Sequence, residues 1–375
     1  MDSLRAKSRN NMKINFANPS IKLKKYRGDI KNVISKIIDS NSYILGDEVK
    51  KFEKNFSKYI GSKYGLGVAN GTDALEIGLK ALGINKGDEV ITVSHTAVAT
   101  VAAIRNIGAK PVIVDIDQDF LHIDPTQAEK AITKKTKAII AVHLYGQSTD
   151  IKKLISICKK NKIYLIEDVS QAHGAKYKGK KLGSFGIIGC FSCYPTKNLG
   201  AIGDAGIITT NNKKLFEKMK LLREYGWRKK FLSEIHGRNS RLDELQAGIL
   251  NVKLKNLNLE NKKRLKIANI YENKIKNKKI NFLKKRNFSS HVFHLFVIKV
   301  ENRSELIKLL SKNHISTGIH YPIAIHMQPG YKNSIKKIGR LINTEKYANC
   351  ILSLPMYPEL KTKEINKVVS LLNKF

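Results

Sequence analysis

The chain has no long apolar run. Nothing in its 375 residues approaches the ~20 consecutive apolar residues of a membrane-spanning helix, and the opening MDSLRAKSRNNMKINF carries no apolar signal-peptide core. The expectation is a cytoplasmic protein without a membrane partner, with residues 1–13 as a tail and translation beginning at Met1 or Met12. Cysteine is scarce. Cys158, Cys190, Cys193 and Cys350 make no disulfide framework in a chain of this length. Cys190 and Cys193 form a CxxC, but no second ligand pair at zinc spacing accompanies it. IIGCFSCY also reads as continuous strand, whereas a thioredoxin-like motif sits at a strand-to-helix turn. Packing is the expected role of both thiols, and no metal is expected. Acidic residues are few, 31 against 69 basic ones, for a net charge of +38. Such an excess invites a nucleic-acid reading. The lysines, however, are spread through every segment among Ile and Asn, no nucleic-acid motif is visible, and aromatics make up only 7 %. Nucleic acid is not an expected partner; attraction of an acidic substrate fits the same charge.

What the chain does have is a core. Hydrophobic residues are 42 %, as in an ordinary globular protein. From Tyr64 to about Thr210 short apolar runs alternate with helical patterns: YGLGVA before TDALEIGLKAL, DEVITVS before TAVATVAAIRNIG, then KPVIVDI, KAIIAVHL and IYLIED. Short, nearly all-apolar strands separated by helices predict an α/β fold with a parallel sheet covered on both faces. Ligands of such sheets bind at the carboxyl ends of the strands. Beyond about Asn212 the patterns are mostly helical, and HVFHLFVIKV is an expected strand. The division expected is a large domain over 14–255 and a smaller α+β domain over 256–375.

Three places carry chemistry. In IYLIEDVSQAHGA an apolar strand ends in Glu167 and Asp168, so a carboxylate lies where a crevice is expected; adjacent strand residues face opposite ways, so only one faces it. A helix N-cap is the plain alternative. In VANGTDAL, Asn70, Gly71 and Thr72 join a strand to a helix, where free N–H groups and the helix dipole favour a phosphate; an ordinary capped helix reads the same way. In CFSCYPTKNLGAIGDAG, Lys197 stands among small and apolar residues, with Asp204 nearby. Desolvation there would lower its pKa and make it a nucleophilic amine able to form a Schiff base with a carbonyl. A lysine that reaches solvent or pairs with Asp204 is the alternative. Together an amine, a strand-end carboxylate and a phosphate cradle are what pyridoxal phosphate requires, the carboxylate keeping the pyridine nitrogen protonated.

The segments YILGDEVKKFEKNF, GVANGTDALEIGLKALG, EDVSQAHGA, SCYPTKNLGAIGDAG, GRNSRLDELQAGIL, IHYPIAIHMQPGY and LSLPMYPEL, in this order, resemble the DegT–StrS family of sugar aminotransferases, over about residues 14 to 375. The resemblance implies a type I aminotransferase fold and a homodimer with shared active sites. It implies that Lys197 holds the cofactor, that Asp168 pairs with its pyridine nitrogen and that Gln171 contacts the ring hydroxyl region. Gly71, Thr72 and Ser192 would hold the phosphate, with Asn239 reaching it from the partner subunit; His320 and Tyr321 would lie near the sugar nucleotide. Two places depart from the family pattern. Ala97 stands where an aromatic ring usually stacks on the cofactor, leaving His95 as a substitute, and Cys193 stands where Phe or Tyr is usual.

The activity so implied moves an amino group from an amino acid, glutamate by resemblance, to a nucleotide-linked 3-keto or 4-keto sugar. HYPIAIH and SHTAV point, by resemblance only, to a 3-keto sugar. Related sugar dehydratases carry histidine in place of the cofactor lysine, and PTKNLG has Lys197 there. A cofactor-binding sensor without turnover is the remaining alternative; it has no need of a proton-transfer lysine.

Overall fold

The structure, a computed structural model, describes residues 13–375. The tail expected over 1–13, and with it the choice between Met1 and Met12, lies outside the described residues apart from Lys13. Five apolar segments form strands β1 (Tyr64–Val68), β2 (Glu89–Val93), β3 (Lys110–Val114), β4 (Thr136–Val142) and β5 (Tyr164–Asp168). With Ile188–Ser192, Gly206–Thr210 and Lys336–Lys337 they make one eight-stranded sheet. Its order is β1, Gly206–Thr210, Ile188–Ser192, β5, β4, β2, β3, Lys336–Lys337. Gly206–Thr210 runs antiparallel to both neighbours, β1 and Ile188–Ser192, and every other pairing is parallel. Runs such as EVITV and TKAIIAV are buried on both faces, the signature of a sheet covered by helices on each side.

The helices begin before the sheet: α1 (Pro19–Lys25), α2 (Arg27–Asp39) and α3 (Asp47–Ile60) precede β1, while α4 (Gly71–Ala81) and α5 (Val98–Asn106) follow β1 and β2. The start of α3 is capped from a distance. The Glu244 carboxylate accepts the N–H groups of Gly46 at 3.0 Å and Val49 at 3.2 Å, supplying both charge and acceptors to the helix's free donors.

A second core lies around an antiparallel sheet of Ile280–Phe282, Phe296–Val300 and Ile351–Leu354, into which the helices Arg303–Lys312 and Thr362–Lys374 bury Leu306, Leu310, Val368 and Leu372. This part of the chain also returns to the large sheet. Lys336–Lys337 pairs with β3, and the Asp115 carboxylate accepts the N–H of Asn343 at 2.8 Å and of Thr344 at 2.9 Å, capping the helix Ile342–Cys350. The expected strand HVFHLFVIKV is shorter than its pattern. Only Phe296–Val300 is strand, because Val292 and Leu295 donate instead to the carbonyls of Gly146 and Tyr145 beside β4.

Candidate active site

The carboxyl ends of β1, β2, β4 and β5 surround a cavity of about 480 Å³. At one end β1 passes through Asn70 into α4. The Asn70 side chain accepts the N–H of Asp73 at 2.9 Å, which leaves the N–H groups of Gly71 and Thr72 without a protein partner among the described residues. Ser192, at the end of Ile188–Ser192 beside β5, lines the same end. Glycine is required at 71 by close approach: a Cβ there would lie 2.6 Å from Ser192 Cβ and 3.0 Å from its Cα.

Asp168 closes the other end. Its side chain faces the cavity, and Thr100 Oγ1 donates to Oδ2 at 2.9 Å while the Ser170 N–H donates to Oδ1 at 3.2 Å. Glu167 points to the opposite face of the strand, as alternation requires. There it is fully buried and accepts from His143 Nε2 and from the N–H groups of Gly183, Phe185 and Gly186, so its work is to pin a turn.

Lys197 is half-buried in the loop between Ile188–Ser192 and Gly206–Thr210 and lines the cavity with Asp168. Its N–H donates to the Tyr194 carbonyl at 2.8 Å. Burial pushes the amine below the ordinary lysine range, against the opposing pull of Asp168 and of the Cys193 thiol. Asp204 lines the cavity too, but no ion pair joins it to Lys197 among the described residues. The loop is gripped from below by two buried ammonium groups: Lys22 donates to the Asn198 carbonyl at 2.7 Å, and Lys253 donates to that of Gly200.

Gln171 accepts the N–H of Tyr145 at 2.8 Å and donates to the Tyr321 hydroxyl at 3.1 Å, so Tyr321 reaches the site through it. His320 lies behind that pair, its carbonyl accepting from the Tyr145 hydroxyl at 2.7 Å and its ring stacked on Phe16 at 5.3 Å. His95 does not take the place of the stacking ring. It is buried, 2.6 Å from the Tyr145 hydroxyl through Nε2, with its pKa lowered to about 4 by burial, and it is absent from the cavity wall. Ala97 lines the wall instead, beside Thr96, in the bend that joins β2 to α5. Asn239 is exposed and stands outside its own chain's cavity, bridging to Glu224.

Several wall residues were not anticipated. Arg238 spans the first turn of α4, 3.0 Å from Asp73 and also paired with Glu76, and it borders the cavity. Its neighbour in GRNSR was the residue singled out; only the spacing of Asp73 and Glu76 on one helix face hinted at a cationic partner. Thr96 lines the wall, and Thr100 behind it bonds Asp168; no motif in the sequence marks either. Among the described residues no group of His, Cys, Asp and Glu is arranged to hold a metal ion, and all four cysteines are free.

The donors fit pyridoxal phosphate: unpartnered N–H groups and a serine hydroxyl for a phosphate, a hydrogen-bonded carboxylate for a pyridinium, and a desolvated amine for an aldehyde. On a mostly parallel sheet this defines an enzyme of the type I aminotransferase fold. The model of the DegT/DnrJ/EryC1/StrS aminotransferase family matches residues 24–373, and the chain belongs to that family. It is 44 % identical to the dTDP-3-amino-3,6-dideoxy-alpha-D-galactopyranose transaminase of Aneurinibacillus thermoaerophilus, covering 94 % of this chain and 96 % of that protein. It is 43 % identical to the Pleiotropic regulatory protein of Geobacillus stearothermophilus, over 92 % of this chain and 94 % of the other. The crystal structure of S. venezuelae DesV in complex with a ketimine intermediate superposes with a TM-score of 0.94 at 36 % identity, covering 96 % of this chain and 98 % of that one. The fold, the aminotransferase class and the pyridoxal phosphate cofactor expected from the motifs therefore hold.

Proposed function

We propose that the protein transfers an amino group from an amino acid, glutamate, to a nucleotide-linked keto-sugar, for amino-sugar or glycoside biosynthesis. The observation that carries the reading is the lowered pKa of Lys197 in one cavity with Asp168 and the open start of α4. Pyridoxal phosphate, when bound, supplies an aldehyde for the amine and a ring that accepts electrons. The N–H groups of Gly71 and Thr72 and the Ser192 hydroxyl hold its phosphate, and Asn239 of one protomer reaches that of its partner in a homodimer. Asp168 keeps the proton on the ring nitrogen, and Gln171 contacts the ring hydroxyl side. Lys197 holds the cofactor until the donor amine displaces it. Its free Nζ would then move the donor's Cα proton, acting as base and then as acid, and would do the reverse on the sugar. Burial that disfavours the charged ammonium leaves the Lys197 amine better able to accept a proton.

His320 and Tyr321 border the sugar side, joined to the cofactor side through Gln171 and Tyr145. The name of the Aneurinibacillus relative places the amine on carbon three, which favours a 3-keto over a 4-keto substrate. No described helix is long and apolar enough to cross a membrane, in keeping with cytoplasmic work on a soluble nucleotide sugar. A regulatory protein without turnover is not favoured: it would use Lys197 and Asp168 to hold the cofactor but has no need of a proton-transfer amine. Incubation of the holoenzyme with glutamate and either 3-keto or 4-keto deoxysugars linked to a nucleoside diphosphate, followed by mass spectrometry, tests the reading. It predicts amine formation on the 3-keto sugar; absence of amine on either sugar contradicts it.

A further inference from the structure

We propose that Thr100 is a positioning residue for Asp168, and that Thr96, Thr100 and Asp168 form a one-way hydrogen-bond chain that fixes this carboxylate against the ring nitrogen of the cofactor. The inference rests on the cofactor reading above and assigns a role to two hydroxyls that the reading does not use.

The direction of the chain follows from donor counting. Thr100 stands in the first turn of α5, and its side chain is wholly buried. Its Oγ1, which carries a single proton, lies 2.9 Å from Asp168 Oδ2, and a carboxylate only accepts. Thr96 Oγ1 is 3.0 Å from Thr100 Oγ1. Since the Thr100 proton is committed to Asp168, Thr96 must be the donor at that contact. Thr96 is itself buried and lines the cavity, so the chain begins at the cofactor wall and ends on the carboxylate.

Two consequences follow. Oδ2 receives Thr100 and Oδ1 receives the Ser170 N–H, so the two oxygens are held from separate elements and the carboxylate cannot swing about its Cβ–Cγ bond without breaking one of them. Together the two donors take up two of the carboxylate's roughly four acceptor sites, which leaves others for a pyridinium N–H. Valine has nearly the shape of threonine and lacks the hydroxyl. It therefore separates the hydrogen bond from packing.

The test is a spectrophotometric titration of the full chain with pyridoxal phosphate and with an analogue whose ring nitrogen is replaced by C–H, for wild type, Thr100→Val and Thr100→Ser, each checked for native melting. The expected result is a dissociation constant for pyridoxal phosphate raised about ten- to hundredfold by Thr100→Val, the size of one hydrogen bond to a charged group. Thr100→Ser should recover most of it. For the analogue, wild type and Thr100→Val should bind alike, because the carboxylate then has no ring proton to meet. Equal losses for cofactor and analogue, or no loss with pyridoxal phosphate, would overturn the proposal. If Thr100→Val does not fold, Thr96→Val takes its place, with a smaller loss in the same direction expected and no loss overturning it. Wild type that binds neither ligand would overturn the functional reading along with this one.

Discussion

Replacing Gly71 by alanine perturbs the site through one atom. The added Cβ would lie 2.6 Å from Ser192 Cβ and 3.0 Å from Ser192 Cα, and both of those atoms belong to a central strand of the sheet. Carbon atoms in contact settle at about 3.5–4.0 Å, so α4 and the strand must separate by roughly 1 Å. Overpacking of this kind costs about 1–3 kcal/mol. The same shift draws the N–H groups of Gly71 and Thr72 away from Ser192, and a displacement of about 1 Å in a positioned site can cost on the order of a hundredfold. Gly28→Ala is the matched control. Gly28 lies on α2 with nothing within 4 Å of the added Cβ, so alanine there leaves stability unchanged or raises it by up to about 1 kcal/mol. Urea unfolding and titration with pyridoxal phosphate read both effects. A Gly71→Ala protein with wild-type stability and cofactor affinity would refute the argument from close approach.

Lys253 is 2 % exposed, and burial, with Lys22 adding to it and Glu260 opposing it, holds its ammonium pKa at about 7 against 10.5 for the free side chain. Between these values the unfolded chain binds the extra proton, so stability rises with pH across that window and the cost of burying the charge is full below it. Relative to Lys253→Met, the wild type should therefore gain about 2 kcal/mol between pH 7 and pH 9 in urea unfolding; a constant difference would contradict this. Thiol labelling checks the reading of the CxxC. Burial pushes the Cys158 and Cys193 thiols up to about 12 and that of Cys190 well above the ordinary range; the Cys350 thiol is raised too but is partly exposed, so a disulfide reagent at pH 8 should label Cys350 alone in the native protein. More than one rapid thiol would refute the packing role.

Much of the site was legible because its parts lie in short, contiguous motifs. A strand that ends in a carboxylate, a glycine at a strand-to-helix junction and a lysine in apolar surroundings each carry local physics, and the sheet brings Asp168, Gly71 and Lys197 into one cavity. The parts that were not legible depend on contacts between distant segments. Nothing local in GIITT says that this strand runs antiparallel, or that Lys336–Lys337 adds to the edge at β3. His95 was read by ring type alone. Its inward turn toward the Tyr145 hydroxyl is decided by the bend after β2 and by a tyrosine fifty positions away. Arg238 was hidden for a similar reason, since its acidic partners lie on α4, far back in the chain.

The central claim is that Lys197 is the amine that holds the cofactor and moves the proton. The most direct measurement is the visible spectrum of the protein loaded with pyridoxal phosphate, before and after glutamate, for wild type and Lys197→Ala. The account predicts a visible band in the wild type that glutamate bleaches, and no such lysine-dependent band in the variant. A wild-type band that persists unchanged in Lys197→Ala would contradict it.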